Sequence, residues 1–347
     1  MDRPKIKTFW LALGYGCNNR CRGCYAEDSG FAGEWMPLSR VTSIMGMMQS
    51  MGAKDCLLIG GEPTLYPQLQ QLISEGSSRG IDMKIVTNGR KLASKTLLNG
   101  LISGGLRHAS VSIEGADPKT HNKITRTKSY DQVVRAIGNL LATGLTFNTL
   151  MTISRLNYQE VVPLAEKLHE MGVKNILYNV GLPSCGSSSE SSNSFSLSPV
   201  EVAGIMAEAY HKLSSQGIKA KFFATIPLCL FDKELLDEMV AQDWISKGVH
   251  CHIFYGSGVV FEPDGNVLPC THFVKHPLFN MIDEGIQTAD QFSEVWYGER
   301  GIHGAFREAI WKYPHSNCEG CEHWGKCVGG CPFLWTHFDP MDIISIR

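Results

Sequence analysis

Residues 8–25 read TFWLALGYGCNNRCRGCY: a short apolar run, then a segment rich in Gly and Asn that carries cysteines at 17, 21 and 24. The run Thr8 to Leu13 predicts a first strand, and the cysteines follow it directly. Spacings of four and seven also fit one face of a helix, which would make the three thiols a core stripe. Two physical points oppose that reading. Gly14, Gly16, Asn18, Asn19 and Gly23 are poor helix formers, and on a straight helix Cys17 and Cys24 would stand about 10 Å apart along the axis. A loop lets all three thiolates converge. Three cysteines supply one ligand fewer than the four an ordinary [4Fe-4S] cluster takes from protein. One iron would then be open to an exogenous ligand, as open positions on other catalytic metals are.

Working outward, short β-rich runs alternate with amphipathic stretches. The predicted strands are Thr8 to Leu13, Cys56 to Ile59, Met83 to Thr87, Ala109 to Ile113, Thr146 to Ile153 and Asn175 to Val180. The clearest helices are Asp131 to Thr143 and Gln159 to Met171, the first with Val133, Val134, Ile137, Leu140 and Leu141 as its apolar stripe. Glycines 52, 80, 105, 144 and 172 each fall between a helix and the next strand, where a left-handed cap is wanted. Strand–helix repeats imply parallel strands with right-handed crossovers. The pattern fits either a partial barrel or a doubly wound sheet and does not choose between them.

The regularity fails at residues 183–198, PSCGSSSESSNSFSLS, a Ser-rich loop whose composition cannot build a core. It resumes with a helix, Pro199 to Ser215, and a strand, Ala220 to Thr225. Beyond about Val249 periodicity fades and Gly, Pro, His, Trp and Cys cluster. This divides the chain into 1–225, a connecting segment 226–248 and a metal-organised module 249–347. The 347 residues suffice for one large α/β unit and a smaller appendage. Thirty-two basic against 34 acidic residues, with no run of like charge, advertise neither a nucleic-acid nor an anionic-membrane surface. The longest apolar stretch, Phe222 to Phe231, is interrupted by Thr225 and Pro227 and falls short of a membrane span. The N-terminal apolar run is too short for a secretory signal, which predicts a cytoplasmic protein. In that reducing compartment its twelve cysteines suit metal or redox chemistry better than disulfides.

C-x3-C-x2-C followed by Tyr25 resembles the signature of radical S-adenosylmethionine (SAM) enzymes, and Gly60, Gly61, Glu62 and Pro63 resemble that family's GGEP segment. The resemblance implies a partial (β/α)6 TIM-like barrel with the cluster at the C-terminal ends of the strands. It implies that SAM chelates the open iron and that an electron donor such as flavodoxin or ferredoxin reduces the cluster. SAM is then cleaved to methionine and a 5′-deoxyadenosyl radical. GGEP would hold the methionine amine, because residues without side chains let carbonyls approach a ligand and a carboxylate accepts from an ammonium. Ser112 matches the position of a ribose contact, and Arg126 resembles the arginine that pairs with the SAM carboxylate. Thr87, Asn88 and Gly89 match the third-strand TNG segment, a turn as much as a contact.

A second constellation is Cys251, Gly265-x4-Cys270, then Cys318-x2-Cys321-x5-Cys327-x3-Cys331. Such hooks would by default suggest a zinc ribbon. Beside the first motif they resemble the SPASM extension of radical SAM enzymes, with six of its seven cysteines at matching spacing. By resemblance Cys251, Cys270 and Cys331 serve a first auxiliary iron–sulfur cluster and Cys318, Cys321 and Cys327 a second. A seventh cysteine after Cys331 is not present. Asp339 or His337 could replace it, an iron could be left open, or one auxiliary cluster alone could form.

Three cysteines lie outside the motifs. Cys56 reads as a small core residue. Cys229 reads the same way, yet precedes the module closely enough to serve as an extra ligand. Cys185 could donate a hydrogen atom over the barrel mouth or be a plain loop thiol. His250, His252, His272 and His276 read as hydrogen-bond partners of cluster ligands, and Trp296, Trp311, Trp324 and Trp335 as packing around clusters. Glu114, Asp117, Tyr178 and Asn179 lie near strand ends where a substrate would sit, and none is assigned a role.

For the reaction, the resemblance implies hydrogen abstraction from a ribosomally made precursor peptide, giving a cross-link, an epimerised residue or an excised backbone fragment. With cysteines from residue 17 there is no room before them for a recognition domain, so a separate peptide-recognition protein would assist. The alternative is a small molecule: a sugar, a nucleoside or a tetrapyrrole. A third reading, an electron-transfer protein with no radical step, is disfavoured by GGEP.

Overall fold

The structure is a computed structural model that describes residues 5–183, 194–223, 225–246, 251–298, 308 and 312–344. Seven parallel strands run in chain order: β1 (Thr8–Ala12), β2 (Asp55–Ile59), β3 (Asp82–Thr87), β4 (Leu106–Ser112), β5 (Thr146–Ile153), β6 (Ile176–Val180) and β7 (Lys221–Phe222). Each neighbours its successor in the sheet. A doubly wound sheet would reverse its strand order at a switch point; this one never does. Helices α1 (Leu38–Ser50), α2 (Leu69–Ser78) and α3 (Lys95–Ser103) pack on one another in turn, as do α4 (Pro118–Thr125) and α5 (Tyr130–Leu141). The helix α6 (Val161–Glu170) packs on Pro199–Ser215. The result is a singly wound, open barrel, ending at β7 on one edge.

Sequence periodicity built these elements. In α5 the stripe Val133, Ala136, Ile137 and Leu140 is buried against the sheet, with Val134 and Leu141 partly so. Each fully buried aliphatic side chain of this kind contributes roughly 1.5–3 kcal/mol. Cys56 is fully buried in the same core, as read. The helix Pro199–Ser215 opens with a capping box between Ser198 and Glu201. Glycines 52, 80, 105 and 172 have positive φ, whereas Gly144 does not. Two further expectations are corrected. The strand drawn from Ala220 to Thr225 is only Lys221–Phe222, because Thr225 O accepts from Cys331 N at 2.7 Å and so leaves the sheet for the cysteine-rich segment. The Ser-rich segment does reach the core: Phe195, Ser196 and Leu197 are buried, while residues 184–193, with Cys185, lie outside the described residues.

The C-terminal part is continuous with the barrel sheet. Strand β8 (Gly258–Phe261) pairs parallel to β1, and β9 (Asn266–Leu268) and β10 (Phe279–Asn280) extend the sheet antiparallel beyond it. Among the described residues no helix is long and apolar enough to cross a membrane.

Candidate functional site

The segment after β1 is a loop, as its glycines and asparagines require. Gly61 N donates to Gly14 O (2.8 Å), Glu62 N to Gly16 O (3.0 Å), Arg20 N to Thr125 O (3.1 Å) and Arg22 N to Ile124 O (2.9 Å). These bonds clamp the loop between the end of β2 and the end of α4. Cys17, Cys21 and Cys24 are half-buried. Burial pushes all three thiols up, Cys24 to about 12; Cys21 is raised further by Cys24 and Cys17, and Cys24 by Cys17. The three sulfurs therefore lie within electrostatic reach of one another. Thiols kept protonated by burial ionise when metal binds, because the cation reverses the local balance. This donor set fits a cluster held by three thiolates.

Gly60 and Gly61 also make room within the protein. A Cβ on Gly60, whose φ is 130°, would stand 2.2 Å from Gly14 O; one on Gly61 would stand 2.3 Å from Tyr15 O and 2.5 Å from Gly16 O. The missing side chains admit the cysteine loop itself. Glu62 is 1% exposed, with Oε1 accepting from Thr64 N (3.0 Å) and Thr87 Oγ1 (2.6 Å) and Oε2 from Asn88 N (2.8 Å). A buried carboxylate needs protein donors in place of water. Glu62 thus ties β2 to β3, Oε2 accepting only from Asn88 N among the described residues, and Pro63 starts the 3-10 turn Pro63–Leu65 that carries one of its donors. Glu62→Gln should lower the stability of the apoprotein by roughly 2–3 kcal/mol in urea unfolding, since an amide cannot accept at both ends and leaves a buried donor unpaired.

Other predicted contacts are likewise engaged by the loop. Asn88 Nδ2 donates to Asn18 Oδ1 at 2.7 Å and lies 3.9 Å from Cys17 Sγ. Tyr25 Oη donates to Gly60 O at 2.7 Å. Ser112 is half-buried at the last residue of β4. Arg126 caps α4 in a left-handed conformation, is exposed, and lines a cavity of about 120 Å³ with Arg22, Glu27 and Phe195. Of the strand-end residues, Asp117 caps α4, accepting from Thr120 N at 2.8 Å, and Tyr178 is buried with its hydroxyl on Val161 O at 2.5 Å. Glu114 accepts from Thr152 N at 3.2 Å, and burial pushes its carboxyl up to about 7. It raises the Cys21 and Cys24 thiols and so lies near them.

Sequence reasoning missed several supports. Phe195 stands over Gly23, where a Cβ would meet its ring at 2.5 Å. Tyr15 donates to Glu262, tying the cysteine loop to the β8–β9 turn, and Arg90 donates to Asn18 O and, at 3.2 Å, to Asn19 Oδ1. An aromatic in a Ser-rich loop was the one local signal; the other pairs are far apart in the chain. His121 was also missed. It is buried, its Nδ1 accepts from Glu114 N at 3.1 Å, and its Nε2 therefore carries the proton toward Ser129 Oγ at 3.0 Å. Burial lowers its pKa to about 4 from 6.5. The unfolded chain then binds more protons between these values, so the stabilisation is complete above about 6.5 and is lost as pH falls through 4. The loss should amount to about 3 kcal/mol. His121→Asn should be less stable than the parent at pH 7, with the gap in urea midpoint narrowing toward pH 4.

The C-terminal cysteines form two groups. Cys251 precedes β8, Cys270 follows β9, and both line a cavity of about 260 Å³ with Cys331, Asn179 and Leu182. Burial pushes the Cys331 thiol up, and Cys251 and Cys270 push it further. Burial also opposes ionisation of Cys270, but the His272 ring, with Nδ1 3.6 Å from its sulfur, holds its pKa below the ordinary value. That is the supporting role read for His272. His252 instead meets Ser257 Oγ at 3.0 Å, and His250 lies outside the described residues. The second group gathers Cys318, Cys321 and Cys327, with Trp324 and Trp335 packed beside Cys318. Trp296 stacks on Phe292 in the core, and Trp311 lies outside the described residues. Among the described residues no three His, Cys, Asp or Glu side chains surround a point that could hold a single metal ion. A cubane, with a different iron for each thiolate, does not require one.

Residues 11–182 match the radical SAM superfamily profile, and the chain belongs to that superfamily. Among curated relatives, GTP 3′,8-cyclase of Chlorobaculum tepidum is 29% identical over 164 residues, 46% of this chain and 49% of the other. This chain thus spans about half the length of that relative. The mycofactocin maturase MftC of Mycobacterium tuberculosis is 24% identical over 342 residues, 95% of this chain and 79% of the other. The AdoMet-dependent heme synthase of Methanosarcina barkeri is 25% identical over 282 residues, 78% of this chain and 77% of the other. Streptococcus suis SuiB, solved bound to the precursor peptide SuiA, shares the fold with a TM-score of 0.72 at 16% identity, covering 97% of this chain and 74% of the other.

Proposed function

We propose that this protein is a radical SAM enzyme that modifies a residue of a ribosomally synthesised peptide, with Cys17, Cys21 and Cys24 holding the SAM-binding cluster. When bound, that cluster supplies the electron that cleaves SAM to methionine and a 5′-deoxyadenosyl radical. The chain's own residues position the site: Glu62, Asn88 and Tyr25 fix the cysteine loop against β2 and β3, and Phe195 covers it. Ser112 and Arg126 are the proposed SAM contacts, and Arg126 has its side chain exposed toward solvent beside the loop. Glu114, its carboxyl pushed up to about 7 by burial, lies near those thiols.

The observation that carries the peptide reading is coverage. Likeness to the GTP cyclase is limited to 164 residues, whereas likeness to the peptide maturase MftC extends over 95% of this chain. The heme synthase, matched over 78%, favours a tetrapyrrole as the second reading. A peptide precursor, and a separate recognition protein, are the proposed partners. The test is anaerobic incubation of the reconstituted protein with SAM, a reductant and the short peptides encoded beside its gene, followed by mass spectrometry. A mass change or solvent deuterium in one peptide, matched by 5′-deoxyadenosine, is expected. No change in any of them, with turnover of an added porphyrin, would transfer the assignment to the second reading.

A further inference from the structure

We propose that Cys229 is a fourth thiolate ligand, with Cys318, Cys321 and Cys327, of an iron–sulfur cluster in the C-terminal module. The proposal rests on the reading of that module as cluster-bearing. Cys229 lies 89 residues before Cys318 in the chain, and the fold brings it back. The segment leaving β7 turns at Pro227 into the 3-10 turn Leu228–Leu230. That segment is fixed on the C-terminal cysteines at two points: Leu228 N donates to Cys327 Sγ at 3.4 Å, and Cys331 N donates to Thr225 O. Gly330 permits the approach, since a Cβ there would stand 3.0 Å from Pro227 Cδ and 3.2 Å from Thr225 O.

Cys229 then packs in one small apolar cluster with Cys318, Trp324 and Trp335. Leu228, its neighbour in the turn, donates to Cys327 Sγ, so the same turn reaches two of the three motif cysteines. Four thiols gathered in an apolar setting are the ligand set of a cubane. Of the other candidates, Asp339 Oδ1 accepts from Met341 N at 2.8 Å and His337 Nδ1 meets Thr336 Oγ1 at 2.7 Å, which leaves Asp339 Oδ2 and His337 Nε2 as the competing ligand atoms.

The test compares the full chain with its Cys229→Ala and Cys229→Ser variants and a Cys318→Ala control. All are reconstituted anaerobically with iron and sulfide and checked for fold by circular dichroism. The parent should bind about twelve irons, three cubanes. Cys229→Ala should lose about four irons, or convert one cubane to a three-iron cluster with its own EPR signal after mild oxidation. Cys318→Ala should show the same defect. Alkylation mapped by mass spectrometry should find Cys229 protected in the reconstituted parent and reactive after chelation. If the parent binds about twelve irons and Cys229→Ala and Cys229→Ser keep them with an unchanged spectrum, the ligand assignment is overturned while the module's reading stands. If the parent itself binds about eight irons, or zinc in this module, the reading of the second auxiliary cluster fails and the proposal with it.

Discussion

Replacing Cys17, Cys21 and Cys24 together by alanine should abolish reductive SAM cleavage and remove about four irons per chain, leaving the iron of the proposed C-terminal clusters in place. The expectation follows from the separation of the cysteine groups. The first sits in a loop clamped by Gly61, Glu62, Thr125 and Ile124, while Cys251, Cys270 and Cys331 share a cavity beside β6. The loop is held by backbone bonds that do not involve the thiols, so the variant should keep its fold. Formation of 5′-deoxyadenosine should drop by at least about 10³-fold, since without the cluster no electron reaches SAM and the remaining contacts only bind it. Cleavage that survived in the triple variant would show that a different group of cysteines holds the active cluster.

Gly61→Ala should be nearly as damaging, by a different route. Its Cβ would meet Tyr15 O at 2.3 Å and Gly16 O at 2.5 Å, both of them backbone atoms that cannot rotate away. Either β2 or the cysteine loop must shift, breaking the bonds from Gly61 N to Gly14 O and from Glu62 N to Gly16 O. The cost should exceed roughly 4 kcal/mol, the range in which a single substitution reports a named steric or hydrogen-bonding failure. Urea unfolding of the apoprotein measures it. In the reconstituted variant the deficit should be confined to the first cluster, with iron falling toward about eight per chain. Full iron and an unchanged urea midpoint would mean that the loop does not press on the GGEP segment as the structure has it.

Local patterns were legible where local physics fixes them. The stripe of α5 and the alternation of the strands follow from burial on one face, and both appear nearly where their periodicity puts them. The same holds for the cysteine loop, whose Gly and Asn residues forbid a helix. Glu62 was legible as a residue of importance, but its protein partners were not. A carboxylate's partners depend on what is folded around it, and Thr87 and Asn88 come from the next strand. Tyr15 and Glu262 were illegible for the same reason, being 247 positions apart. The shortened β7 was misjudged because its apolar residues satisfy a strand pattern, while their backbone bonds go partly to the cysteine segment.

The sequence by itself determined the membership of the cysteine motifs and the β/α alternation, since spacing and periodicity are properties of the chain alone. It left open whether the alternation closes into a singly or a doubly wound sheet, because both have the same local pattern. The tertiary structure decided that through the order in which strands pair, β1 to β7 without reversal, and by adding β8 to the free edge of β1. It also decided that Thr87 and Asn88 donate to Glu62 and that Cys251, Cys270 and Cys331 line one cavity. Those are matters of proximity between distant segments, and only the folded chain creates proximity.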